Sequence, residues 1–181
     1  LPGLERELVG GECSYWACMP TKALLRDAAA LRAARALPAA RRAASGALDP
    51  AAVLARRDRF AADWNDSGQV GWLISAGITL VRGHGRITGP RTVTVTANTG
   101  DGATTRLLAR HAVVIATGSS AHLPPIEGLD DVGPWTNREA AAAQRIPKRL
   151  AIIGGGVVGA EMATAYSALG SQVSLISQTR L

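Results

Sequence analysis

The sequence is poor in aromatic residues, histidine and lysine. Its 181 residues include one Phe, two Tyr, four Trp and three His, and nearly all of its 20 basic residues are arginine. The net charge is +6, but so few aromatic rings leave nothing to stack on nucleic-acid bases. We therefore predict no nucleic-acid partner. The three scattered histidines and two cysteines offer no set of four ligands at metal-site spacing, so we also predict no metal.

Long apolar runs are absent as well. No stretch approaches the ~20 consecutive apolar residues that a membrane-spanning helix needs. No basic-then-apolar leader ends in a small-residue cleavage site. We therefore expect a cytoplasmic protein with no membrane contact. Hydrophobic residues still make up 47% of the chain, which is enough for a core in one large domain or two small ones.

The two cysteines, Cys13 and Cys18, lie close together in the chain. Pro20 is tolerated in a first helical turn, so we predict that Cys18 begins a helix, where the dipole and the free N–H groups favour a thiolate. Five residues of regular helix rise about 7.5 Å, which exceeds the ~4.4–6.8 Å between the Cα atoms of a disulfide. A paired Cys13 must therefore precede the helix or lie in a distorted first turn. Such a pair suits thiol–disulfide exchange; the alternatives are unrelated core thiols or half of a zinc site.

The pattern of apolar residues predicts helices first and strands afterwards. Asp49 and Pro50 form a typical helix start, and an unbroken apolar run is typical of a buried strand in a parallel sheet. The predicted helices are 21–37, 50–64 and 69–75; the predicted strands are 78–81, 84–87, 92–96 and 106–110, followed by the apolar run 112–116.

A glycine-rich turn follows the predicted strand 150–153 and reads G-x-G-x-x-G, with Val157 and Val158 between its last two glycines. A helix and another strand come next, which is the βαβ context that makes this pattern a dinucleotide-binding signature. Gly154 would make the turn, Gly156 would admit the pyrophosphate and Gly159 would let helix and strand pack closely. The helix N-terminus would face the phosphate charge.

The position after the next strand normally carries an acid that binds the adenosine ribose. Here Ser177 stands at that position and Arg180 follows it. Without a carboxylate to repel a 2′-phosphate, the sequence favours NADPH over NADH. Near the start of the chain, Glu5 ends a predicted strand, where a carboxylate commonly binds a ribose hydroxyl.

Taken together, three motifs resemble the class I pyridine nucleotide–disulfide oxidoreductases, the family of dihydrolipoamide dehydrogenase, glutathione reductase and mercuric reductase. They are the cysteine segment 10–22, the strand end at 116–119 and the glycine-rich segment 154–161. The resemblance covers essentially the whole chain, with the motifs in the same order as in the family.

The resemblance implies an electron path from NAD(P)H to FAD, then to a Cys13–Cys18 disulfide and on to the substrate. Cys18 would be the flavin-proximal charge-transfer thiolate and Cys13 the interchange thiol. Lys22 would pair with Glu161 beside the flavin. The remaining residues that the resemblance places against FAD are Glu5, Gly10, Gly11, Ala116, Thr117 and Gly118.

The resemblance also implies an α/β fold: a partial FAD-binding Rossmann-like domain with a β-meander, then the first half of an NAD(P)-binding Rossmann domain. The boundaries would be 1–121 for the FAD part, 122–147 for a connector and 148–181 for the NAD(P) part. The family's first FAD motif and its C-terminal dimerisation domain have no counterpart here. We therefore expect a fragment of an enzyme whose full-length parent is a homodimer.

The cysteine segment departs from the family pattern. The family usually has an aliphatic residue after the first cysteine and a glycine before the second, where this chain has Ser14 and Ala17, with bulky Tyr15 and Trp16 between them. The sequence therefore does not define the substrate beyond a broad class, a small-molecule disulfide or a metal–thiolate. Two alternatives to catalysis are a nucleotide-binding module with structural cysteines and a truncated, non-catalytic remnant.

Overall fold

The computed structural model describes residues 2–178. In chain order the strands are β1 (Pro2–Glu5), β2 (Thr79–Arg82), β3 (His84–Gly89), β4 (Thr92–Thr96), β5 (Thr104–Leu108), β6 (Arg149–Ile153) and β7 (Gln172–Ile176). The α-helices are α1 (Gly11–Tyr15), α2 (Cys18–Ala36), α3 (Pro38–Arg41), α4 (Pro50–Phe60), α5 (Ser67–Ser75), α6 (Asn137–Ala142) and α7 (Val157–Ala168). Short 3₁₀ turns lie at Ala62–Trp64 and Asp130–Val132.

The chain divides into two compact units, and each draws on two separate stretches of sequence. The first unit comprises Leu1–Gly11 and Trp64–Ser120, and the second comprises Glu12–Asp63 and Ala121–Leu181. The domain boundaries expected from the family resemblance stay a prediction.

The first unit contains a parallel strand pair and an antiparallel meander. β1 runs parallel to β2, with Pro2 opposite Thr79 and Glu5 opposite Arg82. β3, β4 and β5 form an antiparallel sheet in that order. Asp66 fastens the loop after β1, because its carboxylate accepts a hydrogen bond from the Val9 N–H at 2.7 Å and another from the Arg82 side chain.

The second unit is a helical layer joined to a parallel βαβ unit. α2 contacts both α4 and α7. The buried core of the second unit contains a cluster of Leu24, Val53, Leu54, Ala165 and Leu169. β6 pairs in parallel with β7, from Arg149 opposite Gln172 to Ile153 opposite Ile176, and α7 connects them. The predicted α/β fold class is confirmed, including the meander and the βαβ unit.

One predicted strand is absent. Residues 112–116 have no regular secondary structure, and Val114 and Ile115 are 86% and 69% exposed. A strand needs a neighbour that takes up its backbone N–H and C=O groups, and no strand within residues 2–178 pairs with this segment. The apolar run is therefore an exposed segment in this structure, and the expectation of a buried parallel strand was wrong.

The predicted second helix ends earlier than expected. α4 begins as predicted, with the Asp49 side chain accepting a hydrogen bond from the Ala51 N–H at 2.9 Å and Pro50 in its first turn. It stops at Phe60, because Ala62, Asp63 and Trp64 have φ values of 50°, 50° and 54°. Left-handed backbone of this kind cannot continue a right-handed helix.

Among the helices described, none combines the length and apolar character needed to cross a membrane.

Candidate functional site

The two cysteines lie at the junction of two helices. Cys13 belongs to the short helix α1, and Cys18 is the first residue of α2, as predicted from Pro20. No side chain caps the N-terminus of α2 at Ala17. The thiols are exposed and not joined by a disulfide. The expected start of the helix at Cys18 is confirmed, and Cys13 precedes that helix, as a redox pair would require.

The two thiols interact with each other. A hydrogen bond with the Cys18 side chain, together with partial burial, raises the pKa of Cys13 above its usual value. Two thiols that influence each other in this way suit thiol–disulfide exchange, in which one thiol attacks and the other resolves the mixed disulfide.

Lys22 and Glu161 form the ion pair that the resemblance to the family implied. Lys22 lies one turn beyond Cys18 on α2, and its Nζ donates a hydrogen bond to Glu161 Oε1 on α7. The Lys22 side chain is 65% exposed, while that of Glu161 is 25% exposed. Because α7 begins at Val157, Glu161 lies beyond its first turn. The helix dipole acts mainly within that turn, so the Lys22 ammonium is the partner that the structure shows for this carboxylate.

The glycine-rich turn leaves room for a ligand to approach the backbone. Gly154 has φ +118°, and its N–H donates to the Ile176 carbonyl at 2.9 Å, which fixes the turn against the end of β7. A Cβ on Gly156 would meet nothing within 4 Å, whereas a Cβ on Gly159 would lie 2.0 Å from the Gly154 carbonyl oxygen. Backbone can therefore approach a ligand at Gly156, and only glycine fits at Gly159.

The N-terminus of α7 is open beside that turn. Gly156 is its N-cap residue and provides no side-chain cap, and Val157 and Val158 are 76% and 53% exposed. Free N–H groups at a helix start suit a phosphate, so this segment fits a dinucleotide. Ser177 is exposed directly after β7. Arg180, the other residue expected near the ribose, lies outside the described residues.

The residues predicted to contact FAD near the strand ends belong to the first unit. Glu5 is the last residue of β1, and its Oε1 accepts a hydrogen bond from the Glu7 N–H at 2.9 Å. Gly10 and Gly11 turn the chain with φ values of 121° and 57°. A carboxylate at a strand end and an adjacent glycine turn suit a ribose and a phosphate.

The last segment predicted to contact FAD, residues 116–118, is exposed and has no regular structure, with Gly118 at φ +66°. Its small residues and the left-handed glycine permit a close backbone approach to a ligand. It follows the run 112–116, so the strand end on which the prediction rested is not formed here.

Sequence reasoning missed helix α6 and the side chains around it. Thr136 and Glu139 form a capping box, with the Thr136 N–H donating to Glu139 Oε2 at 2.7 Å. Hydrogen bonds from the Thr136 hydroxyl and backbone hold the pKa of Glu139 below its usual value, against the effect of burial. The spacing T-x-x-E directly before the alanine run 140–143 is a readable helix signal, although residues 122–147 were expected to be a connector.

Two buried side chains from other helices reach the C-terminal end of α6. Arg57 of α4 is fully buried, and it donates to the Ala141 carbonyl and, at 2.9 Å, to the Ala143 carbonyl. The Tyr166 hydroxyl of α7 donates to the Ala140 carbonyl at 2.7 Å. Burial raises the pKa of Tyr166 above its usual value, and the charge of Arg57 opposes this only in part.

Comparison with known proteins gives matches along nearly the whole chain. A family model described as pyridine nucleotide-disulphide oxidoreductase matches residues 3–180. Mercuric reductases from Shigella flexneri and Streptomyces lividans are 34% and 35% identical to the chain, over 98% of it and over 32% and 37% of their own lengths. A dihydrolipoyl dehydrogenase from Chlorobaculum tepidum is 32% identical over 96% of this chain and 36% of its own. The chain thus spans about a third of the length of these curated relatives.

Solved structures share the fold. LpdA from Mycobacterium tuberculosis is 25% identical, with a TM-score of 0.75 over 98% of this chain and 38% of that one. The HOCl-induced flavoprotein disulfide reductase RclA from Escherichia coli, solved as a Cu(II) complex, has a TM-score of 0.77 at 20% identity, over 99% of this chain and 37% of that one.

Proposed function

The chain belongs to the pyridine nucleotide-disulphide oxidoreductase family, and on that premise we propose that Cys13 and Cys18 are the redox-active pair of a disulfide reductase. The family uses FAD and takes its electrons from NAD(P)H. The observation that carries the proposal is the placement of Cys13 on α1, just before Cys18 begins α2, with both thiols exposed and the Cys18 side chain raising the pKa of Cys13. Lys22, one turn further along and paired with Glu161, supports it.

The chemistry of the cysteine pair is thiol–disulfide exchange. The Cys13 thiolate attacks one sulfur of a substrate disulfide, which breaks the substrate S–S bond and releases its other half as a thiolate. The Cys18 thiolate then attacks the Cys13 sulfur, so that the Cys13–Cys18 bond forms and the second substrate thiolate leaves. Two electrons pass from the cysteines to the substrate, and the two protons lost by the cysteines go to the two product thiolates.

The dinucleotides would be held by the residues that the motifs indicate. Gly154, Gly156 and Gly159, with the N–H groups of Val157 and Val158, would hold the NAD(P)H pyrophosphate at the start of α7. The FAD contacts would come from Glu5, Gly10, Gly11, Ala116, Thr117, Gly118 and Lys22. When bound, FAD supplies the two-electron link between the nicotinamide and the cysteine pair.

Several finer features belong to the same proposal. Ser177 in place of an acid supports NADPH as the preferred nicotinamide. The substrate would be a small-molecule disulfide or a metal–thiolate, and the full-length protein would act as a homodimer. The domain boundaries near residues 121 and 148 are proposed on the resemblance to the family.

The experiment is oxidation of the purified 181-residue chain by glutathione disulfide, followed by alkylation of the remaining thiols and mass spectrometry. We expect the wild-type chain to lose both thiols by forming an internal Cys13–Cys18 disulfide. The Cys18→Ser variant should instead retain glutathione on Cys13, because no resolving thiol is left. If glutathione accumulates independently on both cysteines of the wild-type chain, the redox-pair assignment is wrong.

A further inference from the structure

Helix α6 is anchored at both ends within the second unit. The Thr136–Glu139 capping box fixes its start. Its C-terminal carbonyls accept hydrogen bonds from Arg57 and Tyr166, which belong to α4 and α7. A six-residue helix alone would be marginal, so these contacts make α6 a fixed element from which other residues can be positioned.

The first two residues of α6 reach the helix that carries Cys13. Arg138 Nε donates to Glu12 Oε1 at 2.6 Å, and a second guanidinium nitrogen also contacts that oxygen. Asn137 Nδ2 donates to Glu12 Oε2 at 3.0 Å and to the Trp16 carbonyl at 3.1 Å. The Arg138 guanidinium carbon also lies 4.1 Å from the centroid of a Trp16 ring. These four residues are called the α1–α6 contact below.

Two residues of the α1–α6 contact lie on either side of Cys13 in the sequence. Glu12 directly precedes Cys13, and Trp16 lies between the two cysteines. Both groups that α6 holds, the Glu12 carboxylate and the Trp16 carbonyl, therefore lie on the segment whose path sets where Cys13 stands. α1 has only five residues and cannot hold its own geometry by helix formation.

We propose that Arg138 and Asn137 are positioning residues that keep the Cys13 thiol beside Cys18 by holding Glu12 and Trp16. This rests on the proposed function, since it concerns the same cysteine pair. A disulfide forms only when its Cα atoms lie within about 4.4–6.8 Å. By restricting α1, the contact raises the effective concentration of one thiol at the other, and so favours the disulfide over two separate thiols.

The effective concentration of the two thiols is measured by their exchange equilibrium with glutathione. One glutathione disulfide oxidises the pair: the Cys13–Cys18 bond forms, the glutathione S–S bond breaks, and two glutathione thiols carry away the two protons and two electrons. The equilibrium constant of this exchange is proportional to the effective concentration of the two cysteines. It is measured on the 181-residue chain in glutathione redox buffers, with acid quenching, alkylation and mass spectrometry.

We expect Arg138→Met and Glu12→Gln each to lower this constant about tenfold, which corresponds to about 1.4 kcal/mol. The matched control is Arg59→Met, which removes the same charge from an exposed position on α4 in the same unit and should leave the constant within about twofold. Exchanging the charges in a Glu12→Arg, Arg138→Glu double variant should recover part of the loss.

A second readout separates positioning from thiol reactivity. In a Cys18→Ser background, Arg138→Met should leave the mixed-disulfide equilibrium of Cys13 with glutathione unchanged, because that equilibrium needs no second thiol of the chain. A change there equal to the change in the intact pair would overturn the positioning role. Glu12→Gln keeps the shape of the side chain, so it provides the test if Arg138→Met does not fold.

The outcomes distinguish this inference from the function on which it rests. If the wild-type chain forms the internal disulfide and both Arg138→Met and Glu12→Gln keep the wild-type constant, the positioning role is refuted and the redox pair stands. If the wild-type chain forms no internal disulfide at any glutathione ratio, the redox pair fails and the positioning role fails with it.

Discussion

Lys22 donates a hydrogen bond to Glu161 across 139 positions of sequence and thereby joins the cysteine-bearing helix α2 to the helix of the glycine-rich turn. This ion pair lies on two elements that also pack against each other. It links the two motifs of the second unit, one of which carries the thiols and the other the proposed dinucleotide cradle.

Lys22→Met should cost little stability. The lysine side chain is 65% exposed, and exposed ion pairs contribute about 0–1 kcal/mol, so we expect the free energy of unfolding in urea to fall by less than about 1 kcal/mol. Lys148→Met is the control, because Lys148 is also exposed. In the full-length protein, Lys22→Met should slow flavin reduction by NAD(P)H more than it weakens nucleotide binding. If the rate of flavin reduction and the affinity for the nucleotide fall by the same factor, Lys22 acts only in nucleotide binding.

Arg57→Met should destabilise the second unit strongly. Arg57 is fully buried, and its removal leaves the carbonyls of Ala141 and Ala143 without their donor. Because each buried acceptor without a partner costs about 1–3 kcal/mol, we expect the free energy of unfolding in urea to fall by about 3 kcal/mol. Arg59→Met, an exposed change on the same helix, should stay within about 0.5 kcal/mol of wild type. Similar values for the two variants would contradict this role of Arg57.

The second unit shows where sequence reasoning succeeds and where it stops. The βαβ unit and the start of α2 were predictable, because Gly154, Gly159 and Pro20 are local signals for turns and helix starts. The pairing of Lys22 with Glu161 was predictable only through the resemblance to a family. The residues next to Arg57 in the sequence give no signal that it is buried, since the carbonyls it binds lie 84 and 86 positions away.

In the first unit, sequence reasoning predicted a strand that the structure does not form. An apolar run at 112–116 is typical of a buried strand, but strand formation depends on a paired neighbour that the run itself does not encode. The meander was predictable because the alternation in 92–96 continues over a whole strand. The grouping of residues 64–120 with the first eleven residues depends on long-range contacts and had no signal in the local pattern.

Stability of the first unit should fall in acid through Asp66. Burial disfavours its ionised form, but hydrogen bonds from Arg82 and from the Val9 N–H outweigh burial and hold the pKa of Asp66 below its usual value. A carboxyl whose pKa is lower in the folded state contributes stability that is present above its unfolded pKa of about 3.9 and is lost as pH falls through the folded value.

Asp66→Asn tests this contribution. The variant should be less stable than wild type at pH values above about 5, and the difference should shrink as the pH falls below about 4, when the wild-type carboxylate becomes protonated. Urea denaturation across this range measures both curves. Asp101→Asn is a second test of the same effect, since hydrogen bonds from the Ala103 N–H and the Thr99 hydroxyl also hold the pKa of Asp101 below its usual value, so its gap to wild type should shrink in acid as well. A pH-independent gap between Asp66→Asn and wild type would contradict the electrostatic account.

Ser177 should decide how the chain distinguishes NADPH from NADH. Gly154 donates to the carbonyl of Ile176 at 2.9 Å, so the residue after Ile176 stands next to the glycine-rich turn. An acid there would repel a 2′-phosphate and would hydrogen-bond a ribose hydroxyl. Ser177→Asp should therefore weaken NADPH binding about tenfold, equivalent to about 1.4 kcal/mol, and should leave NADH binding equal or tighter.

Equilibrium binding of both nucleotides to the 181-residue chain measures this, with Ser174→Asp as the matched control. Ser174 is an exposed serine on β7, three positions before Ser177, so the same new charge lies within the strand and away from its end. We expect Ser174→Asp to change the binding of NADPH and NADH by the same factor, because a charge at that position acts on both pyrophosphates alike. A Ser177→Asp variant that binds NADPH as tightly as wild type would show that the 2′-phosphate does not approach this residue. The preference for NADPH would then lose its only support within residues 2–178.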